Sequence, residues 1–291
     1  MLDGQFTLNG YTFGRAEDPV SVLTDGWDTP EYDIRIQDVP ASVGDSLYFG
    51  RDYFTPPVWT FTLLVKDDVD VYPELNKLAT AWRSDAMRLT PGASTALTFR
   101  RGGRDFLVYG RPRKFAVDHG TSMDHTLKVV TATFQLADTF LYGGIEHAVT
   151  LDLVTTSSSE GLVFPTGFPW TFESDRQERR GLVTVETALP TPFKVRISGP
   201  ATGTASDFQL RSTTGWSMEF GTYLSPRGNI TVDTSTGHVV RNSAVYGGGI
   251  TSRVDYRALL QPGPQEVVFT ANDPSFTSTA TVTWRDVYPL Y

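Results

Sequence analysis

Apolar and polar residues alternate with a period of two along most of the chain. "WTFTLLV" (59–65) places Trp59, Phe61, Leu63 and Val65 on one face. "TLKVVTATFQL" (126–136) sets Leu127, Val129, Thr131 and Thr133 against Lys128, Val130, Ala132 and Phe134. "FKVRIS" (193–198) sends Phe193, Val195 and Ile197 to one side and Lys194, Arg196 and Ser198 to the other. "FQLRS" (208–212), "WSMEF" (216–220) and "ATVTW" (280–284) repeat the pattern. Alternation of this kind marks strands that lay one face on a core and the other in solvent, as in antiparallel sheets.

One segment breaks the rhythm. In "YPELNKLATAWRSDAM" (72–87), Leu75, Leu78, Ala79, Trp82 and Ala86 recur at helical spacing and form one stripe. Pro73 suits a first helical turn and Glu74 favours the positive end of the helix dipole. A long β array with one helix in its first half, followed by β alone, predicts two β-rich domains. The α-helix falls in the first of them. The divide falls where "FQLADTFLYGG" runs into Gly143-Gly144, giving domains 1–145 and 146–291. "TTSSSEG" (155–161) reads as a loop in the second, and Pro165 and Pro169 in "FPTGFPWTF" (164–172) allow only an edge strand or an extended connection there.

The 291 residues, 40% hydrophobic and 20% charged, suit a globular protein with sizeable cores. No apolar run approaches the length of a membrane span. The start "MLDGQFTLNG" lacks the basic and apolar segments of a secretion signal, so folding in a cytoplasm is expected. The absence of cysteine excludes disulfides, thiolate metal sites and thiol catalysis. The net charge of −8 argues against a dedicated nucleic-acid binder, since such affinity comes from Lys and Arg on phosphates. Residues 1–148 carry 14 basic and 20 acidic residues, which leaves most of the negative charge in the first half.

Candidate chemistry resolves mostly into turns. "NITVDTSTGHVV" (229–240) evokes the Asp-Thr-Gly turn of aspartic proteases. Ser235 and Thr236 separate Asp233-Thr234 from Gly237, and the best second copy, "LTDGW" around Asp25, lacks the hydroxyl residue. A β-hairpin explains the segment. His119, Asp124 and His125 in "VDHGTSMDH" have metal-ligand chemistry, but they lie between two strands where a hairpin loop is expected. Arg100, Arg101 and Arg104 flank Gly102-Gly103, a two-residue hairpin signal, and an anion site is the competing reading. "DRQERR" (175–180) reads as a solvated loop. "YGGG" (246–249) lacks the spacing and context of a phosphate loop. Trp170, Trp216, Trp284, Tyr246 and Tyr256 have the chemistry to stack on sugars, although in sandwiches such rings more often fill cores. No catalytic, metal or cofactor site is expected.

Most of the chain, best from residue 126 onward, resembles the distal tail proteins of long, non-contractile-tailed bacteriophages. The resemblance is carried by "FQLADTFLYGG", a Phe-x-x-Ala-Asp-x-Phe-x-Tyr pattern at the end of the first domain, and by "GLVFPTGFPWTF" (161–172). It continues through "SPRGNITVDTSTGHVVRNSAVYGGGI", "YRALLQPGPQEVVFT" and the last aromatic strand, Thr281 to Tyr288. The order and spacing of these short motifs carry the specificity. The chain has "DTSTGH" where the family often has Arg or Pro, and the first 70 residues match only in general character. The resemblance implies a structural, non-enzymatic virion protein at the tail tip, assembled in the host cytoplasm. In it the first domain, a β-barrel or sandwich with one α-helix, builds a hexameric ring that continues the tube's channel, and the second, a galectin-like β-sandwich, projects outward. It implies as partners other copies of the chain, the tail tube protein, the tip hub and receptor-binding parts or a host glycan. Genomic DNA would pass through without specific binding. The competing readings are a stand-alone carbohydrate-binding β-sandwich adhesin and, third, a glycosidase. Part of the acidity, with "KDDVD" (66–70) as a candidate, is expected to line the channel.

Overall fold

The computed structural model describes residues 1–31, 33–40, 42–43, 45–118, 125–153, 181–245, 255 and 257–290. The chain is mainly β and separates into two units. One comprises Met1–Ile145 and Val287–Tyr291, the other Glu146–Asp286.

The first unit is built on a nine-stranded antiparallel sheet. Its main path runs Tyr11–Phe13, Phe6–Leu8, Thr95–Arg101, Arg104–Val117, Leu127–Leu136, Val58–Lys66 and Val20–Asp28. The two ends of this path meet. Gly14, just past one edge strand, bridges Ser21 of the other, donating to the Val20 carbonyl at 2.8 Å and accepting from Val22 N at 2.9 Å. This single parallel bridge joins the two ends of the sheet and closes it as a barrel at that point. Gly14 has φ 132°, and a Cβ there would sit 2.3 Å from the Gly4 carbonyl, so the seam requires glycine. Alternation filled the barrel as expected: Trp59, Phe61, Leu63 and Val65 face Val130, Ala132 and Phe134 in one core. Lys128 falls on the same buried side.

The helix is shorter than the sequence pattern implies. It spans Tyr72–Arg83, and Ser84 then adopts a left-handed conformation (φ 40°) before a single further turn, Asp85–Arg88. Leu75, Leu78 and Trp82 are buried in the barrel core and Ala79 is half-buried, but Ala86 is exposed, because the break at Ser84 rotates the last turn off the stripe. The Trp82 ring lies 6.0 Å from Phe13 and 5.8 Å from Phe61, and its Nε1 donates to the Thr133 carbonyl at 3.0 Å.

The second unit is a sandwich of a six-stranded and a four-stranded antiparallel sheet. Phe193, Val195 and Ile197 from the first sheet meet Phe208, Leu210 and Phe269 from the second in a single core. The expected domain span 146–291 is corrected at its end. After Trp284 the chain leaves the sandwich, and Val287–Pro289 pairs antiparallel with Phe140–Gly143 of the first unit. Phe140–Gly143 is itself a strand where the sequence suggested a strand end. The turn before it is fixed by Asp138, whose carboxylate accepts from Phe140 N at 3.0 Å and from the Tyr142 hydroxyl at 2.7 Å. Burial pushes the Asp138 pKa up, and these two hydrogen bonds oppose the shift. The Asp, Phe and Tyr of the family-like pattern thus have a physical reason for their spacing.

Candidate interaction surface

Residues 29–57 connect two neighbouring strands of the barrel, Val20–Asp28 and Val58–Lys66, which pair directly with each other. A two-residue turn would serve that purpose. The chain instead builds an arm of two short ribbons, Asp33–Arg35 with Tyr53–Thr55 and Val39–Pro40 with Leu47–Tyr48. Among the described residues neither ribbon joins another sheet. Prolines mark both ends: Pro30 on departure and Pro56-Pro57 on return, where Gln135 Nε2 donates to the Pro56 carbonyl at 3.0 Å and fixes the root.

Among its described residues the arm has no buried face. All its strand residues are exposed, among them Ile34, Val39, Leu47 and Tyr48, and Val43 and Phe49 each keep 86% of their surface. A two-stranded ribbon is marginal in water, and contiguous exposed apolar surface of this kind marks an interaction site. Its acids outnumber its bases: residues 33–55 carry Asp33, Asp38, Asp45 and Asp52 against Arg35 and Arg51. Arg35 lies over the Tyr53 ring at 5.1 Å.

Beside the root of the arm lies a cleft of about 960 Å³ floored by Trp27, Trp59, Phe99, Phe106 and Leu141. The rings pack edge-on, with Trp27 5.4 Å from Trp59 and 5.5 Å from Phe99. A bulge between Val22 and Trp27 shapes this floor. Asp25 there has φ 59°, and Gly26 has no space for a Cβ, which would meet the Thr62 carbonyl at 2.6 Å. "LTDGW" is thus a bulge within a strand. Arg101 and Gly102 form part of the rim.

The other candidate residues fall as follows. Gly102 and Gly103 have φ 59° and 75° in a tight turn between Thr95–Arg101 and Arg104–Val117, the expected hairpin. Arg100 lies 3.8 Å from Asp3 and 3.7 Å from Asp105. Arg101 and Arg104 are exposed and pair with no carboxylate among the described residues. Asp233 ends one strand of the expected hairpin, Asn229–Asp233 with His238–Arg241. It accepts from Ser235 N at 3.0 Å and Ser235 Oγ at 2.5 Å, and meets Lys194 Nζ at 3.0 Å. The Thr234 hydroxyl exchanges two 2.9 Å hydrogen bonds with the Phe193 backbone. The side chains of the Asp-Thr pair are thus engaged with the turn and with the neighbouring strand Phe193–Ser198.

Trp216 and Trp284 are core residues, so neither offers a ring to a sugar. Trp170, Tyr246, Tyr256, "TTSSSEG", "FPTGFPWTF", "DRQERR" and "YGGG" lie outside the described residues, as do His119 and Asp124. His125 is described: its carbonyl accepts from Val71 N at 2.9 Å and its ring lies 6.2 Å from Tyr72. Among the described residues no three His, Asp or Glu gather as a metal site. Asp67 accepts from Val69 N and Asp70 N, which hold its pKa below the ordinary value, and Asp68 and Asp70 are exposed. The arm itself went unread in the sequence. Its signal was the apolar triplet Leu47-Tyr48-Phe49 in a segment with two Asp-Arg neighbourhoods and no opposite strand to bury it.

A scan against protein-family models finds no match, and neither does a search of curated protein sequences. The fold is shared with solved phage proteins. The Dit protein (gp 19.1) of phage SPP1, described as a paradigm of the hub adsorption apparatus in phages infecting Gram-positive bacteria, aligns with 12% identity and a TM-score of 0.52 over 98% of each chain. A chain of the phage P2 baseplate in its activated conformation with Ca aligns with 10% identity and a TM-score of 0.52 over 97% of each. A chain of the phage p2 baseplate with Sr gives 10% identity and 0.53, over 96% of this chain and 97% of that one. The mainly β fold of this chain is thus that of Dit along nearly its whole length.

Proposed function

We propose that this chain is a structural protein of a phage tail tip that assembles with copies of itself into a ring, six in number. The ring joins the tail tube to the tip hub and the receptor-binding apparatus. The observation that carries this reading is the apolar arm at 29–57 on a chain with the Dit fold: an arm so exposed is stable only when another surface covers it. The first unit, the barrel, builds the ring. The second, a sandwich read as galectin-like, faces outward toward receptor-binding proteins or host glycan. The protein acts in the virion, after assembly in the host cytoplasm, with no catalytic or cofactor chemistry.

The acidity of residues 1–148, net −6 per copy, reaches about −36 in a hexamer. Part of it, including the loop at Asp67, Asp68 and Asp70, lines the channel and keeps DNA from adhering, since it offers no counterion release. The test is native mass measurement of the purified chain together with electron images. Rings of six copies are expected. A monomer at every concentration, with no ring in the presence of tube or hub protein, overturns the reading. A channel wall that is net basic overturns the electrostatic part alone.

A further inference from the structure

Resting on that ring reading, we infer that the distal arm of one copy, with Tyr48 and Phe49, seats in the aromatic cleft of the next copy, under Arg101. Three observations lead there. The two surfaces need each other chemically: one is a ribbon with its apolar side chains in water, the other a cleft floored by Trp27, Trp59, Phe99 and Phe106. Within one chain only the base of the arm, through Ile34, reaches the cleft; Tyr48 and Phe49 are not among its lining residues and stay 69% and 86% exposed. Their charges are complementary. The distal arm, 38–52, carries Asp38, Asp45 and Asp52 against Arg51, whereas the cleft is lined by Arg101 and Glu31, with Arg104 in the same turn as Arg101 adding a second positive charge. Neither arginine is paired with a carboxylate among the described residues.

The geometry of the contact follows from its two halves being different patches of one molecule. Such a contact is head-to-tail, and it gives a ring when the rotation between copies closes, as the ring reading requires. A two-fold dimer would instead put arm on arm or cleft on cleft. Tyr48 and Phe49 are the aromatic anchors expected at the centre of such an interface, and the arginine with its acidic partners forms a polar rim. The cleft is large enough to take both rings, since sites of a few hundred Å³ already enclose a drug-sized ligand.

The chain has no cysteine, so single engineered thiols report one contact each. Full-length Phe49→Cys and Arg101→Cys proteins, one carrying a mass tag, are oxidised separately and after mixing. Both positions are exposed, so both variants fold. The expected result is a disulfide-linked heterodimer at twice the 32.2 kDa chain mass in the mixture only. The double variant is expected to give a ladder of covalent oligomers. Rings that form without a cross-link in the mixture overturn the arm-in-cleft contact and leave the ring reading intact. A Phe49→Cys homodimer, or a double variant that closes on itself as a monomer, also overturns it. Failure of the unsubstituted chain to form any oligomer overturns the ring reading and this inference with it.

Discussion

Replacing Trp82 with alanine tests how the helix is tied to the barrel. The indole is 2% exposed, lies edge-on to Phe13 and Phe61, and spans from the helix to the Thr133 carbonyl. Truncating a buried aromatic to alanine costs about 3–5 kcal/mol, because the lost transfer energy is joined by a cavity that rigid strands cannot collapse into. Trp82→Phe keeps most of the ring and loses the hydrogen bond, which is worth about 1 kcal/mol net. The alanine variant should therefore lie well below the phenylalanine variant. Ala86→Ser, at the exposed position beyond the break at Ser84, should stay within about 0.5 kcal/mol of the parent. Urea unfolding read by amide hydrogen exchange measures the effect in the right place: protection should fall in Val58–Lys66 and Leu127–Leu136. A cost below about 1 kcal/mol for Trp82→Ala, or an equal cost for Ala86→Ser, would refute the packing argument.

Gly14→Ala should destabilise the barrel by roughly 2–4 kcal/mol, since φ 132° and the Gly4 carbonyl both oppose a side chain, and increased exchange at Val20 and Val22 would locate the damage at the seam. Burial disfavours ionisation of Asp273, yet hydrogen bonds from Ser275 and Ser278 outweigh it and hold the pKa at about 2, against an ordinary 3.8. That depression contributes roughly 2 kcal/mol of stability, present above pH 4 and lost as the pH falls through about 2, so the stability gap between the parent and Asp273→Asn should shrink over that window; an unchanged gap from pH 5 to pH 2 would sink the assignment. Asp233→Asn keeps an acceptor for Ser235 and gives up a partly exposed ion pair with Lys194, so its cost should be under about 1 kcal/mol and ring assembly should persist; a collapse of either in thermal melts or native mass spectra would reopen a larger role for that carboxylate.

The faces of strands were legible because alternation is a property of neighbours in sequence. Val195, Val282 and Phe134 each lie on the side their period assigned. The same rule even placed Lys128 on the buried side, where its residue type argued for solvent. The two hairpins, at Gly102-Gly103 and after Asp233, were legible because turn residues carry their own backbone preferences. What failed depends on contacts between residues far apart. Nothing near Ser84 in the sequence reports its left-handed backbone, so Ala86 stayed on the stripe. The pairing of Val287–Pro289 with Phe140–Gly143 joins positions more than a hundred residues apart, and the aromatic last strand reads equally well as the end of a sandwich. The arm and cleft stayed hidden for a related reason. Hydrophobicity marks a residue as fit for burial without saying which molecule buries it.

The return of Val287–Pro289 to the strand Phe140–Gly143 makes the second unit an insertion rather than an appendage. Its first and last strands are neighbours, His147 lying opposite Trp284, and His147 and Asp286 meet at 3.2 Å. Entrance and exit therefore leave through one doorway. For a gene this makes a cassette: one in-frame exchange of codons 146–286 replaces the whole sandwich while every strand of the barrel is kept. A stop codon placed at the same boundary has a different result, since it removes the sandwich and also takes the barrel's final strand. Replacement of the second unit by recombination is thus compatible with an unchanged first one, whereas its loss by simple truncation is not.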